Sequence, residues 1–97
     1  MTECNRLMRI IRRQMPALRA EYRVRTIGLF GSYVRAEQHK RSDLDVLVEF
    51  DEAPSLLKFM ELEEHLSELT GTKVDLVSRR GLKPHIGEHI LKEVVYA

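Results

Sequence analysis

A glycine–serine pair and three aspartates have the residue types and spacing to do chemistry. Gly31-Ser32 is followed, after ten intervening residues, by Asp43 and Asp45, and Asp75 lies further along the chain. Asp43 and Asp45 are two positions apart in a segment that predicts a strand, so both side chains project from one face, with Cα atoms about 6.5–7 Å apart. Carboxylates at that spacing can converge on one magnesium ion or bridge two ions about 3.5–4 Å apart.

Asp75 is the one acid in KVDLVS, an apolar segment over residues 73–78 that predicts a buried strand. Burying a charge without compensation is costly, so an acid there needs a partner. A place beside Asp43 and Asp45 provides one, because a bound cation offsets the repulsion that otherwise raises the pKa of one carboxyl. In a two-metal mechanism this third acid would bind the catalytic ion and help to deprotonate an incoming hydroxyl.

Gly31-Ser32 ends the segment VRTIGLFG, whose β-branched and aromatic residues predict a strand over residues 24–31. From Ser32 to Gln38 we expect one or two helical turns, with Ser32 as the N-cap. A strand that runs through a glycine into such a turn presents backbone N–H groups and a positive helix end to a phosphate. Glycine permits close approach because it has no Cβ. The pair therefore predicts a phosphate-binding turn.

Apolar periodicity predicts the elements that must position these residues, in the order α-β-(α)-β-α-β-α. Pro16 lies inside the first helix, where we expect it to break that helix or to start a second short one. Helix caps are predicted at Thr2 and Ser55, and Gly71 supplies a C-terminal stop. The order predicts an α/β domain in which helices flank a short mixed β-sheet. The predicted elements are a helix over 2–20, strands over 24–31, 43–50 and 73–78, a helix over 55–71, and a last helix from Pro84 with Ile86, Ile90, Leu91, Val94 and Val95 on one face.

The composition is that of one globular domain over residues 1–97, with 43% hydrophobic and 32% charged residues. The net charge is +1, so the basic excess of a nucleic-acid binder is missing and no direct nucleic-acid binding is expected. Arginines concentrate between Arg6 and Arg25, and we interpret them as a solvated helix face. The single Cys4 fits a reducing compartment and no apolar run is long enough to span a bilayer, so we expect a cytoplasmic protein. An enzyme this short would take much of its recognition from a partner.

Residues 26–77 resemble the minimal nucleotidyltransferase family of the DNA polymerase β superfamily. The matching text is GLFGSYVRAEQHKRSDLDVLVEF, followed by KVDLV. The resemblance implies a polymerase β-like nucleotidyltransferase fold in which Gly31-Ser32 is the phosphate-binding pair. It also implies that Asp43 and Asp45 are the metal pair and that Asp75 is the third acid.

Members of this family are typically encoded beside a HEPN-domain ribonuclease toxin and act as its antitoxin. The resemblance therefore implies a magnesium-dependent enzyme, with two ions, that transfers AMP from ATP to a tyrosine hydroxyl of the toxin, in the manner of a type VII antitoxin. The implied partners are the toxin, in a hetero-oligomer, and a nucleoside triphosphate, with no membrane.

Two positions beyond the glycine–serine pair are open to alternatives. Arg35 matches the arginine of the family's GSYARG, where it would contact a nucleotide phosphate or brace the loop through a carboxylate, and bracing is preferred. Family members often have glycine where this chain has Ala36. A positive φ would strain an alanine, whereas the first turn of a helix would not, and we expect the helical turn.

Two other functions stay open. A catalytically inert antitoxin would use the same fold and neutralise its toxin by binding alone, although a binding module has no need of three converging carboxylates. A small-molecule nucleotidyltransferase of the antibiotic-modifying type is the weakest alternative, because the chain has no acceptor-binding domain.

The remaining conspicuous residues receive structural interpretations. His85 and His89 have the four-residue spacing of a zinc-binding pair but no evident third ligand, so we interpret them as surface histidines. The apolar stripe from Leu56 to Leu69 is interpreted as core, and Tyr96 as part of a frayed tail.

Overall fold

The computed structural model describes residues 2–97, in which helices pack on a four-stranded mixed sheet. In chain order the elements are α1 (Glu3–Tyr22), β1 (Val24–Phe30), β2 (Leu44–Phe50), α2 (Leu56–Thr70), β3 (Val74–Ser78), a 3-10 turn (Arg79–Gly81), α3 (Pro84–Glu93) and β4 (Val95–Tyr96). The strand order is β3-β2-β1-β4; β1 is antiparallel to both of its neighbours, and β2 is parallel to β3. The predicted α/β fold class is confirmed.

Helix α1 runs unbroken through Pro16, so the expected break there is wrong. The predicted cap is present, because the Thr2 side chain accepts a hydrogen bond from the Asn5 N–H at 3.1 Å. Pro16 itself is exposed, while Met15 and Leu18 on either side of it are buried in the core. Burial of one continuous apolar face therefore outweighs the single backbone hydrogen bond that a proline removes.

The main hydrophobic core lies on one side of the sheet, which we call the helix face because α1 and α2 pack against it. Side chains alternate between the two faces along a strand, so every second strand residue contributes to this core, except where an irregularity between Val24 and Thr26 shifts the alternation in β1. The strand residues of the helix face are Val24, Ile27, Leu29, Leu44, Val46, Val48, Val74 and Leu76, and the helices add Leu7, Met8, Ile11, Met15, Leu18, Tyr22, Leu62 and Leu66.

The opposite side of the sheet, which we call the carboxylate face, carries Phe30, Asp45, Leu47 and Asp75. Phe30 is opposite Asp45 across β1 and β2, and Asp45 is opposite Asp75 across β2 and β3, so the three share a face. Phe30 and Leu47 are buried. Asp75 is exposed, so the burial predicted for it is wrong. The reason is that β3 is an edge strand, and α2 covers only its helix face.

The C-terminal residues form a strand that sequence periodicity does not reveal. In β4, Tyr96 pairs with Gly28 of β1, and the Ala97 N–H donates to the Ile27 carbonyl at 2.8 Å. The interpretation of Tyr96 as a frayed tail is therefore wrong. Helix α3 ends at Glu93, so the apolar face predicted to continue beyond that residue is also wrong. Two strand residues are too few to give a recognisable alternation.

The apolar stripe of α2 is only partly core, which corrects its interpretation. Leu62 and Leu66 are fully buried, whereas Leu56 and Met60 are 76% and 55% exposed. The predicted caps are present: Ser55 accepts from the N–H three residues on, and Gly71 ends the helix in the left-handed conformation. Among residues 2–97, no helix has the length and apolar character needed to cross a membrane.

Candidate active site

The topology brings the predicted site residues to one edge of the sheet. Because β1 is antiparallel to β2, its end lies beside the start of β2, and the parallel β3 starts at the same edge. The Leu44 N–H donates to the Lys73 carbonyl at 2.8 Å and so fixes the starts of β2 and β3 together. Asp45 and Asp75 follow at equivalent positions of the two strands. Asp43 immediately precedes β2, so the predicted strand over residues 43–50 begins one residue later than expected.

Asp45 is a carboxylate whose pKa is raised by its surroundings. Partial burial raises its pKa, the negative charges of Asp75 and Asp43 raise it further, and the nearby Arg35 guanidinium opposes them. Like charges held this close disfavour the ionised form. The site thus concentrates negative charge on the carboxylate face.

Asp43 is half-exposed. Its side chain is 41% exposed, and its Oδ2 lies 3.9 Å from Nζ of Lys73, whose side chain is 81% exposed. An ion pair between groups this exposed contributes little stability and is easily exchanged for another cation. Asp43 is therefore free to turn toward a ligand.

The three acids fit magnesium by their chemistry. Carboxylate oxygens are the donors that this hard cation prefers, and the raised pKa of Asp45, whose causes include the neighbouring charges after burial, shows a repulsion that a divalent cation would relieve. Within residues 2–97 no three His, Cys, Asp or Glu side chains form a ready-made cage. Asp43, Asp45 and Asp75 are thus neighbours at one sheet edge rather than a closed set of ligands.

Gly31 opens a tight turn between β1 and the loop that leads to β2. Its carbonyl accepts hydrogen bonds from the N–H groups of Val34 and Arg35, at 3.1 and 3.2 Å. These bonds close a turn over residues 32–36, not the regular helical turns with a Ser32 cap that the sequence favours. The predicted helical turn is therefore wrong, whereas a turn at this point is present.

Glycine is required at position 31 for two reasons. Its φ is 79°, a conformation that disfavours any side chain. A Cβ built there would also lie 2.0 Å from Oδ2 of Asp45. From the sequence, we expect the glycine to allow a phosphate to approach closely. In the structure, the group that approaches Gly31 closely is the carboxylate of Asp45.

Ala36 ends this turn with φ at 57°, in the left-handed region. The expectation that it occupies a harmless helical turn is wrong, because a methyl group at positive φ is strained. The glycine that family members often have at this position would relieve that strain.

Arg35 is held by two carboxylates. Its Nη1 donates to Oε1 of Glu93 at 2.6 Å and its Nε donates to Oε2 of Glu37 at 3.0 Å. This arrangement favours bracing of the loop over direct contact with a phosphate, which were the two alternatives for this residue.

Glu93 is the site residue that sequence reasoning missed. Its Oε2 accepts a hydrogen bond from the Gly31 N–H at 2.9 Å, while Oε1 accepts from Arg35. Partial burial alone would raise the pKa of this carboxyl, but the hydrogen bonds from Gly31 and Arg35 outweigh it and lower the pKa. No local signal identifies Glu93, because its partners lie 58 and 62 residues earlier in the chain.

A cleft of about 340 Å³ is lined in part by Asp43. Lys40, Arg41 and Lys73 contribute to its lining, so its charge favours an anion. The loop that carries the first two is closed on itself, because the His39 N–H donates to Oγ of Ser42 at 2.9 Å.

Together these features place a glycine turn beside neighbouring carboxylates at one edge of the sheet. Residues 11–97 match the family model of the nucleotidyltransferase domain. The match covers most of the chain, so the chain belongs to the nucleotidyltransferase domain family and is a nucleotidyltransferase.

Two curated relatives are named as protein adenylyltransferases. Protein adenylyltransferase MntA of Thermococcus cleftensis is 57% identical over 79 residues, which are 81% of this chain and 80% of that protein. A protein of Methanocaldococcus jannaschii assigned as a protein adenylyltransferase is 48% identical over 90% of this chain and 90% of its own length.

Two solved structures share the fold over nearly the whole chain. One, assigned to a minimal nucleotidyltransferase, has a TM-score of 0.79 and 37% identity, covering 98% of this chain and 95% of that one. A toxin–antitoxin structure with AMP-PNP has a TM-score of 0.70 and 25% identity, covering 99% of this chain and 72% of that one. The predicted resemblance to minimal nucleotidyltransferases is confirmed.

Proposed function

We propose that this chain transfers AMP from ATP to a tyrosine hydroxyl of a HEPN-domain toxin and so acts as its antitoxin. The observation that carries the proposal is the register of the two parallel strands, which sets Asp45 opposite Asp75 beside the Gly31 turn. The names of the protein adenylyltransferase relatives and the toxin–antitoxin structure with AMP-PNP support the substrate and the partner.

Asp43, Asp45 and Asp75 are the residues that would hold magnesium, as two ions. Bound there, magnesium supplies positive charge to the reacting phosphate oxygens and to the leaving pyrophosphate. Asp45 is the natural shared ligand, because it lies between the other two acids and its pKa is raised first by burial and then by both of their charges.

The turn after β1 provides donors for the triphosphate. Among residues 2–97, no protein acceptor takes a hydrogen bond from the N–H groups of Ser32 and Tyr33 or from the Ser32 hydroxyl. Backbone donors in a turn that starts at a glycine are a common way to bind phosphate. We assign these three donors to the phosphates of ATP, which leaves Arg35 to brace the turn.

The acceptor hydroxyl reacts at the exposed end of the site. Its oxygen forms a bond to the α-phosphorus, the bond from that phosphorus to the β-phosphate oxygen breaks, and pyrophosphate leaves. The proton of the hydroxyl passes to Asp75, whose exposed carboxylate an incoming side chain can reach. The acceptor hydroxyl belongs to the partner protein, which therefore supplies the other half of the site.

The test is transfer of label from ATP labelled in its α-phosphate to the partner toxin in the presence of magnesium. Asp43→Asn should abolish labelling, because it removes an anionic metal ligand. Asp51→Asn is the matched control, since Asp51 lies at the other end of β2, paired with Arg25, and it should label the toxin as the unaltered chain does.

The same variants decide between enzyme and inert binder. If Asp43→Asn still neutralises the toxin in cells as well as the unaltered chain does, binding alone is sufficient and the enzymatic proposal fails. Asp75→Asn should lower turnover more than ATP affinity, and equal losses of both would contradict the role given to Asp75.

A further inference from the structure

We propose that Glu93 is a positioning residue that clasps the nucleotide-binding turn through the Gly31 N–H and the Arg35 guanidinium. This inference rests on the proposed function for its consequence, ATP binding, but its structural part concerns the chain alone. Its basis is a carboxylate from the end of α3 that bonds to both ends of the turn after β1.

The clasp has the geometry of a strong interaction. Oε2 of Glu93 is 2.9 Å from the Gly31 nitrogen and Oε1 is 2.6 Å from Nη1 of Arg35, so each carboxylate oxygen has one donor. The Glu93 side chain is only 23% exposed. Hydrogen bonds that involve charged groups are roughly twice as strong as neutral ones, and partial burial reduces their screening.

The backbone next to Glu93 is fixed by its own contacts with β1, so the position of the Glu93 side chain is well defined. The next residue, Val94, donates its N–H to the Ile90 carbonyl at 2.9 Å and ends α3. Its Cγ2 lies so near Gly28 that a Cβ there would be 2.4 Å away. The strand β4 then pairs with β1 directly before the turn. The end of α3 is therefore anchored on β1, and the hydrogen bond from the Gly31 N–H to Glu93 restrains the turn relative to that anchored segment.

The turn needs such an anchor because its own conformation is unfavourable. Ala36 has a positive φ, which strains an alanine, and the turn closes through only a few backbone hydrogen bonds. Strained turns persist when surrounding contacts determine them. Glu93 occupies the Gly31 N–H and Arg35, so the donors of Ser32 and Tyr33 remain for a phosphate. Without Glu93 the turn would sample other conformations, and the alignment of those donors would be lost.

A competing role for Glu93 predicts the opposite change in ATP affinity when the carboxylate is removed. The carboxylate could occupy donors that a phosphate would otherwise use, and its removal would then tighten ATP binding. Positioning predicts weaker binding. The two roles are separated by the direction of one affinity change.

The experiment compares Glu93→Gln and Glu93→Ala with Glu37→Gln. The control removes the other carboxylate partner of Arg35, Glu37, whose side chain is 65% exposed, whereas the Gly31 N–H donates to Glu93. Hydrogen exchange at the Gly31 amide is measured in the free chain, and the dissociation constant for magnesium–ATP, KM and kcat are measured with the toxin as acceptor. Thermal unfolding verifies that each variant is folded.

We expect Glu93→Ala to speed exchange at Gly31 and to weaken ATP binding about tenfold, the loss of roughly one charged hydrogen bond. The loss should fall on KM rather than kcat, and Glu93→Gln should be intermediate. Glu37→Gln leaves the bonds from Gly31 and Arg35 to Glu93 in place, so it should have a smaller effect than Glu93→Gln. Unchanged exchange at Gly31 in both variants of Glu93 overturns the clasp, as does tighter ATP binding. If the unaltered chain binds no ATP, the proposed function fails, while the exchange data still decide the clasp.

Discussion

On the helix face of the sheet, Leu44 and Val46 are completely buried in a core shared with α1 and α2. On the carboxylate face, Asp45 lies between them in sequence and points the other way, opposite the acid Asp75 of the neighbouring strand. Strand β2 thus has one face whose apolar side chains stabilise the fold and an opposite face on which Asp45 and the neighbouring acids repel one another.

The two faces of the sheet differ in what they contribute: the helix face contributes to the free energy of folding, and the carboxylate face carries the residues proposed for catalysis. Every helix-face contact buries apolar area, which favours folding. On the carboxylate face, burial raises the pKa of Asp45 and two neighbouring acids raise it further, so the ionised form is disfavoured in the chain alone. Conformational strain is likewise beside the carboxylate face, at Ala36.

The largest effect on stability is expected on the helix face. Leu44→Ala removes a side chain with no exposed area from between the two acids of the DLD segment. The free energy of unfolding should fall by about 2–5 kcal/mol, the usual cost of a cavity left by a buried leucine. Urea unfolding measures it, and a loss below about 1 kcal/mol would contradict the assignment of Leu44 to the core.

A smaller effect of opposite sign is expected at the turn. Ala36→Gly removes a methyl group held at positive φ, which should raise the free energy of unfolding by about 0.5 kcal/mol after the greater flexibility of the unfolded glycine is counted. Ala17→Gly, inside α1, is the matched control and should lower stability by about 1 kcal/mol. Equal destabilisation by both changes would mean that Ala36 carries no strain.

The smallest effect is expected in the pH dependence of stability. Because the pKa of Asp45 is raised in the folded chain, through partial burial and then the charges of Asp75 and Asp43, the folded state binds the proton more tightly than the unfolded state. Stability from this group should therefore decrease as pH rises from the usual aspartate range through the raised value. Urea unfolding across that range should show a decrease that Asp45→Asn lacks and Leu44→Ala retains. Parallel curves for all three chains would contradict it.

The sequence was sufficient to predict those features that depend on residues close to one another in the chain. Short runs of β-branched, aromatic and apolar residues identified β1, β2 and β3, and the Ser55 cap and the Gly71 stop are where the residue types predict them. The proximity of Asp43, Asp45 and Asp75 followed from strands that start at one edge. These features depend on neighbours within a few residues or on a common sheet topology.

The features that sequence reasoning missed depend on distant contacts. Strand β4 exists because an edge of β1 is available to two residues, and the clasp of Glu93 joins residues about 60 positions apart. The unbroken helix at Pro16 depends on the sheet beneath it. The positive φ of Ala36 follows from how the turn closes beside Asp45, and nothing in the local sequence specifies that.

The central claim is that the carboxylate face serves catalysis rather than stability, and Asp45→Asn tests it most directly. Transfer of labelled AMP to the toxin and the thermal midpoint are measured together at neutral pH. We predict that transfer falls at least about 100-fold while the midpoint stays the same or rises, because a like-charge repulsion has been removed. Retained transfer, or a midpoint lowered as far as Leu44→Ala lowers it, would contradict the claim.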